Sequence, residues 1–189
     1  MKILMAGNSL TSANDMPCML AKMLDADVMC VTRGGARLAE FSNPKTRTGA
    51  RVLGALAERR FDFVVMQDMS HAAASNPEAH RRAVEKMCAL ARQNGAVPVV
   101  YGTWAYREGN PRIEKLGLGG AAEMARRMSE GSLSAARECD ALCVDAASMV
   151  KRLEDDTWFY AADGIHPSEK GSHLVASAIA QKIRDYVRS

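Results

Sequence analysis

The 189-residue sequence predicts a three-layer α/β/α domain on a five-stranded parallel sheet. Three observations predict it. Short runs of continuous apolar residues alternate with longer amphipathic ones along the whole chain. The runs lack polar alternation, as strands covered on both faces require. No internal repeat, low-complexity tract or linker interrupts the pattern, so residues 1–189 read as one flavodoxin-like domain.

The elements follow in order. Lys2 to Ala6 is a buried strand ended by Gly7, and residues from about Asp15 to Leu24 suit a helix. Asp27 to Val31 is a second strand, broken by Gly34-Gly35. Thr48 to Arg60 places Val52, Leu53, Leu56 and Ala57 on one helical face. Phe61 to Met66 is the strongest strand candidate. Pro77 to Gln93 is a helix, with Asn76 as N-cap and Gly95 just past its end. Val97 to Tyr101 is a fourth strand, Gly120 to Glu138 a helix, and Ala141 to Val144 a fifth strand with a short helix after it, through Leu153. Ser168 to Arg188 closes the chain as a helix striped by Leu174, Val175, Ile179, Ile183 and Val187. The Gly-rich stretch from Trp104 to Gly120 reads as an irregular loop, of a length that often carries function.

The composition narrows the function. Hydrophobic residues make up 48% and charged residues 25%, with a net charge of +3. The pairs Arg59-Arg60, Arg81-Arg82 and Arg126-Arg127 are scattered over surface helices, not gathered into the basic stripe a nucleic-acid site needs. Five cysteines, an odd number, show no CxxC spacing and no zinc-site partner. Most read as small buried hydrophobes, which suggests a reducing compartment. With no signal-like apolar run and no membrane-length segment, a cytoplasmic location is expected, with neither membrane nor nucleic acid as partner.

In a parallel sheet, sites form beyond the carboxyl ends of the strands. The segments expected there are Gly7 to Asn14, Arg33 to Leu38, Gln67 to Ser75, Gly102 to Glu108 and Ala161 to Pro167. Ser9 sits on the turn after the first strand, where its hydroxyl can face a cleft or simply cap a helix. The segment has one glycine and no lysine at the P-loop spacing, so phosphate-loop readings fail. Near the other end, Asp163-Gly164-Ile165-His166-Pro167 sets a carboxylate three residues before an imidazole. Such an aspartate can reach back to Nδ1 and fix the tautomer a general base needs. The same residues also suit a capping loop, or a metal site if His71 or Asp68 supplied a third ligand.

Together the two segments resemble one family. Gly7-Asn8-Ser9-Leu10-Thr11 resembles the Gly-Asp-Ser-Leu block of the SGNH (GDSL-like) hydrolases, and Asp163 to Pro167 resembles their Asp-x-x-His-Pro block. Ser168-Glu169-Lys170-Gly171 extends the likeness into the last helix, so the resemblance runs from end to end. It implies a triad of Ser9, His166 and Asp163. It also implies an oxyanion-hole glycine after strand two, for which Gly35 fits and Gly34 is a close rival. The family's Gly-x-Asn-Asp block is replaced by Met66-Gln67-Asp68, with Gln67 the natural substitute donor. A divergent branch carries Gln-x-x-Ser here and Thr-Trp-Ala after strand four, as in Thr103-Trp104-Ala105.

The implied chemistry is ester hydrolysis. Ser9 attacks a carbonyl, His166 moves the proton, and the oxyanion rests on the Ser9 and Gly35 N–H groups and the Gln67 amide. No metal or cofactor is required. The expected partner is a small acylated molecule, with an acetylated carbohydrate suggested by the family. Trp104, Tyr106 and His71 are candidate walls of the substrate cleft. His80 and His173 are expected to be surface or structural residues on helices. The alternative is a non-catalytic small-molecule-binding module that retained the fold.

Overall fold

A computed structural model describes all 189 residues. In chain order the elements are β1 (Lys2–Gly7), α1 (Ser9–Ser12), α2 (Met16–Leu24), β2 (Asp27–Thr32), α3 (Leu38–Phe41), α4 (Arg47–Glu58) and β3 (Phe63–Met66). There follow α5 (Ala72–Ser75), α6 (Pro77–Asn94), β4 (Val97–Gly102), α7 (Pro111–Lys115), α8 (Ala121–Glu138), β5 (Leu142–Asp145), α9 (Ala146–Lys151) and α10 (Glu169–Arg188). The five strands pair in the order β2-β1-β3-β4-β5, every pair parallel. This is the expected three-layer, flavodoxin-like arrangement.

Side chains alternate across each strand and so divide between two cores. Ile3, Met5, Phe63, Val65, Val99 and Tyr101 face one way, against Leu20 of α2 and Val175, Ile179 and Ile183 of α10. Leu4, Ala6, Val64, Met66 and Val100 face the other, against α4, α6 and α8. Each fully buried aliphatic side chain contributes about 1.5–3 kcal/mol, so the sheet is clamped from both sides. Asn76 caps α6 through the Ala79 N–H at 3.1 Å, and Gly95 ends it with φ of 87°. Ser168 caps α10 through the Gly171 N–H at 3.1 Å.

Several expectations are corrected. The stretch from Trp104 to Gly120 contains α7, capped by Asn110, whose Oδ1 accepts from the Arg112 N–H at 3.1 Å. The one-turn helices α1, α3 and α5 escape a periodicity reading, because a single turn repeats no apolar spacing. All five cysteines are free, but only Cys88 is buried; Cys18, Cys30, Cys139 and Cys143 are half-buried. The arginine pairs on α6 and α8 are matched by neighbouring acids, as in Arg81–Glu78 at 2.8 Å and Arg126–Glu123 at 2.7 Å. No helix is long and apolar enough to cross a membrane.

Candidate active site

The carboxyl end of the central strand β1 delivers Ser9. Asn8 follows the strand and caps α1, its Oδ1 accepting from the Leu10 N–H at 3.0 Å. Ser9 is therefore the first residue of a helix, where the backbone N–H has no intrahelical acceptor. Ser9 Oγ lies 2.9 Å from His166 Nε2 across a separation of 157 residues. His166 Nδ1 lies 2.6 Å from Asp163 Oδ2. The second Asp163 oxygen accepts from the N–H groups of Ile165 and His166, each at 3.0 Å. Partial burial pushes the Asp163 carboxyl up, but the bonds from His166 and from those two N–H groups outweigh it and hold it below its ordinary value.

The two sides of this constellation are built differently. On the Ser9 side, buried amides do the holding. Asn8 Nδ2 donates to Ala36 O at 3.2 Å and Asp68 O at 3.3 Å. Gln67 Oε1 accepts from the Asn8 N–H at 2.8 Å and from Thr11 Oγ1 at 2.9 Å, while Gln67 Nε2 donates to Asp68 O. The Asn8 N–H is a donor only, so it fixes which end of the Gln67 amide is oxygen. Gly7 makes room for this cluster: a Cβ there would sit 2.6 Å from Gln67 Oε1 and 2.2 Å from Thr11 Oγ1.

On the His166 side, backbone straps hold the loop. Ala161 N–H donates to His166 O at 2.8 Å and Gly164 N–H to Ala161 O at 3.0 Å. Arg107 N–H reaches Gly164 O at 2.9 Å, and Asn110 Nδ2 reaches Asp163 O at 2.9 Å. Trp104 Nε1 supports the loop from beneath, donating to Ile165 O at 2.9 Å. Asn14 joins the two sides, its Nδ2 donating to Pro167 O at 3.0 Å and Ser172 Oγ at 2.9 Å. The backbone of Asn14 takes φ of 53°, a left-handed conformation that asparagine tolerates.

The chain is similar along its length to a protein from Slackia heliotrinireducens assigned to the SGNH hydrolases. The two share 49% identity over 97% of this chain and 98% of that one, with a TM-score of 0.92. This chain belongs to the SGNH hydrolase family. More distant solved structures share its fold. One is the M. smegmatis aryl esterase, at 16% identity over 97% of this chain and 98% of that one, with a TM-score of 0.72. Another is a carbohydrate acetylesterase family member from Sinorhizobium meliloti, at 19% identity over 97% and 98%, with a TM-score of 0.69. No protein-family model matches the chain, and no curated protein matches it.

Within the SGNH framework the middle of the chain departs from expectation. Gln67 lies beneath the Ser9 turn and is bonded within the protein. It is 1% exposed, and its amide is turned inward onto Asn8, Thr11 and Asp68. Its longer arm folds back under the Ser9 loop. Gly35 does lie on an exposed turn, closed by the Ala36 N–H to Arg33 O bond at 3.0 Å, and its φ of 66° requires glycine. Gly34 shares that turn without a positive φ.

The expected cleft walls also move. Trp104 is 1% exposed and packs edge-to-face on Phe159 at 4.8 Å, so it is a core support of the His166 loop. Tyr106 is buried, with its hydroxyl 2.8 Å from Ser70 Oγ. His71 is half-buried, its Nδ1 2.8 Å from Ser75 Oγ. It lines a cavity of about 300 Å³ with Arg37, Asp68 and His80, and burial together with the nearby Arg37 charge lowers its pKa.

Of the two helical histidines, His80 is the buried one, with Nδ1 2.9 Å from Asp68 Oδ2, while His173 is exposed on α10. No group of three or more His, Cys, Asp or Glu side chains converges as metal ligands, and the Asp68 oxygens are already bonded to His80, Leu38 and Met69. A cavity of about 720 Å³ lies at the opposite, amino end of the strands around Met1, Phe63 and Tyr186, and none of the site groups lines it.

Proposed function

We propose that this SGNH hydrolase is a serine esterase that cleaves a small acyl group from a small molecule, with Ser9 as nucleophile, His166 as general base and acid, and Asp163 as its orienter. The observation that carries this reading is the unbroken chain of bonds from Ser9 Oγ through His166 to Asp163, at 2.9 and 2.6 Å. These are hydrogen-bond distances for a nucleophile, its base and the carboxylate that fixes the tautomer.

Ser9 Oγ attacks the ester carbonyl as His166 Nε2 takes its proton. Negative charge develops on the carbonyl oxygen and is met by the Ser9 and Gly35 N–H groups. His166 then returns the proton to the departing alcohol. Water, activated by the same imidazole, releases the acid and regenerates Ser9. Within the family frame, an acetylated carbohydrate is the first substrate class to try. The fold neighbour named as a carbohydrate acetylesterase family member supports that choice.

The test combines a fluorophosphonate probe with p-nitrophenyl acetate and a panel of sugar acetates, comparing wild type with Ser9→Ala. Labelling and turnover that vanish in Ser9→Ala are expected. A folded wild-type protein that takes no label while a control hydrolase does would overturn the reading. The inward turn of Gln67 favours one second reading, a binding module with an incomplete oxyanion hole. Sugar-acetate binding by calorimetry without turnover would select it.

A further inference from the structure

We propose that Asp68, clamped by His80, is a positioning residue that holds the oxyanion loop against the Ser9 loop. The proposal rests on the esterase reading above and adds to it a buried group that reading does not use.

Asp68 stands at the carboxyl end of β3 and is 8% exposed, and His80 on α6 is 5% exposed. Every oxygen of Asp68 is bonded. Oδ1 accepts from the Leu38 N–H and the Met69 N–H, both at 2.7 Å. Oδ2 meets His80 Nδ1 at 2.9 Å. The main-chain oxygen accepts from Asn8 Nδ2 and Gln67 Nε2. Asn8 then closes the circuit by donating to Ala36 O. One residue thus ties together β3, the Ser9 turn, and both ends of the Ala36–Leu38 segment that follows Gly35.

A carboxylate suits this task because it accepts several bonds at once, and charge-assisted bonds are about twice as strong as neutral ones. A buried carboxylate without a partner would be costly, and His80 supplies the donor on its remaining oxygen. The bonds from Asp68 to the Leu38 N–H and, through Asn8, to Ala36 O fall on the segment next to Gly35, where small displacements change transition-state stabilisation more than substrate binding.

The experiment compares wild type with Asp68→Ala, Asp68→Asn, His80→Ala and His80→Asn. Each is measured for kcat and KM on p-nitrophenyl acetate, for inhibition by a boronic acid that forms a tetrahedral serine adduct, and for hydrogen exchange of the 33–40 peptide. Asp68→Ala should lower kcat about ten- to hundredfold with KM within about twofold. Boronate affinity should fall in step, and the 33–40 peptide should exchange faster. Asp68→Asn keeps the Oδ1 acceptor and should recover most of the loss. His80→Asn, which retains a donor near the Nδ1 position, should exceed His80→Ala in kcat.

Wild-type kcat and boronate affinity in folded Asp68→Ala would overturn the proposal, even if its melting temperature fell. Unchanged exchange of the 33–40 peptide would also overturn it. Should Asp68→Ala not fold, the two His80 variants decide, and equal wild-type kcat in both rejects the role. If Ser9 proves unreactive in wild type, the esterase reading fails by itself, and the exchange measurement still decides whether Asp68 holds the loop.

Discussion

The Ser9 turn and the His166 loop meet at the Ser9–His166 hydrogen bond, yet they are secured by different means. The Ser9 turn is held by buried side chains: Asn8, Thr11, Gln67 and Asp68 are all under a tenth exposed. The His166 loop leaves its Asp163 and His166 side chains 48% and 40% exposed, and it is secured by hydrogen bonds to its main chain from Ala161, Arg107, Asn110, Trp104 and Asn14. A nucleophile at the end of a central strand can be fixed from inside the core. A base on a late loop has core only beneath it, through Ile165 and Trp104, and needs glycine geometry and straps from neighbouring segments.

That contrast can be broken most forcefully at its shared bond. Ser9→Ala should reduce kcat by about 10³-fold or more while the melting temperature stays near wild type, read from p-nitrophenyl acetate turnover and thermal unfolding. Asp163→Asn should lose about 10²–10⁴-fold, because the imidazole then loses the acceptor that fixes its tautomer. Equal kcat in wild type and Asp163→Asn would remove the carboxylate from the mechanism.

Next come substitutions that separate the side-chain-held region from the strap-held one. Gln67→Ala leaves the Asn8 N–H and Thr11 hydroxyl without their acceptor in the core, and should cost about 2–4 kcal/mol in denaturant unfolding. Asn8→Asp sharpens the point at constant volume. An aspartate offers no donor to Ala36 O and Asp68 O, and a loss of about 1–3 kcal/mol is expected. Gly164→Ala addresses the straps instead. Its φ of 65° and the 3.2 Å approach of a Cβ to Arg107 Cβ should cost about 1 kcal/mol. Its larger effect should fall on kcat, since the loop carries His166.

The smallest expected effect concerns pH. Burial raises the Asp163 carboxyl but its hydrogen bonds lower it further, so its folded pKa lies below the unfolded one, near 3.8. The proton is therefore bound more tightly by the unfolded chain, and the stabilisation is complete above that value. It is lost as pH falls through the lower, folded value. The stability gap between wild type and Asp163→Asn should hold steady above about pH 3.8 and close as pH falls below it.

The two regions also differ in how far the sequence revealed them. Strand-length apolar runs and capped amphipathic helices disclosed the sheet and most helix boundaries, because burial on both faces imposes them locally. The two end motifs drew attention to Ser9, Asp163 and His166. The inward bonds of Gln67 were not legible because a residue type does not say which way an amide turns. The burial of Trp104 was not legible because an aromatic after a strand packs inward as readily as outward. His80 and Asp68 are 12 residues apart on different elements, and no spacing rule joins them. Asn14 carried no signal beyond its type.

What the amino-acid order settled alone was the layered α/β/α architecture and the family, since periodicity and short motifs are properties of neighbouring residues. What only the folded chain decided was the direction of each buried polar group and the meeting of residues 157 positions apart. Those depend on which acceptors remain unsatisfied once the strands have paired. In water every amide and hydroxyl is satisfied by solvent, and only burial makes its choice of partner matter.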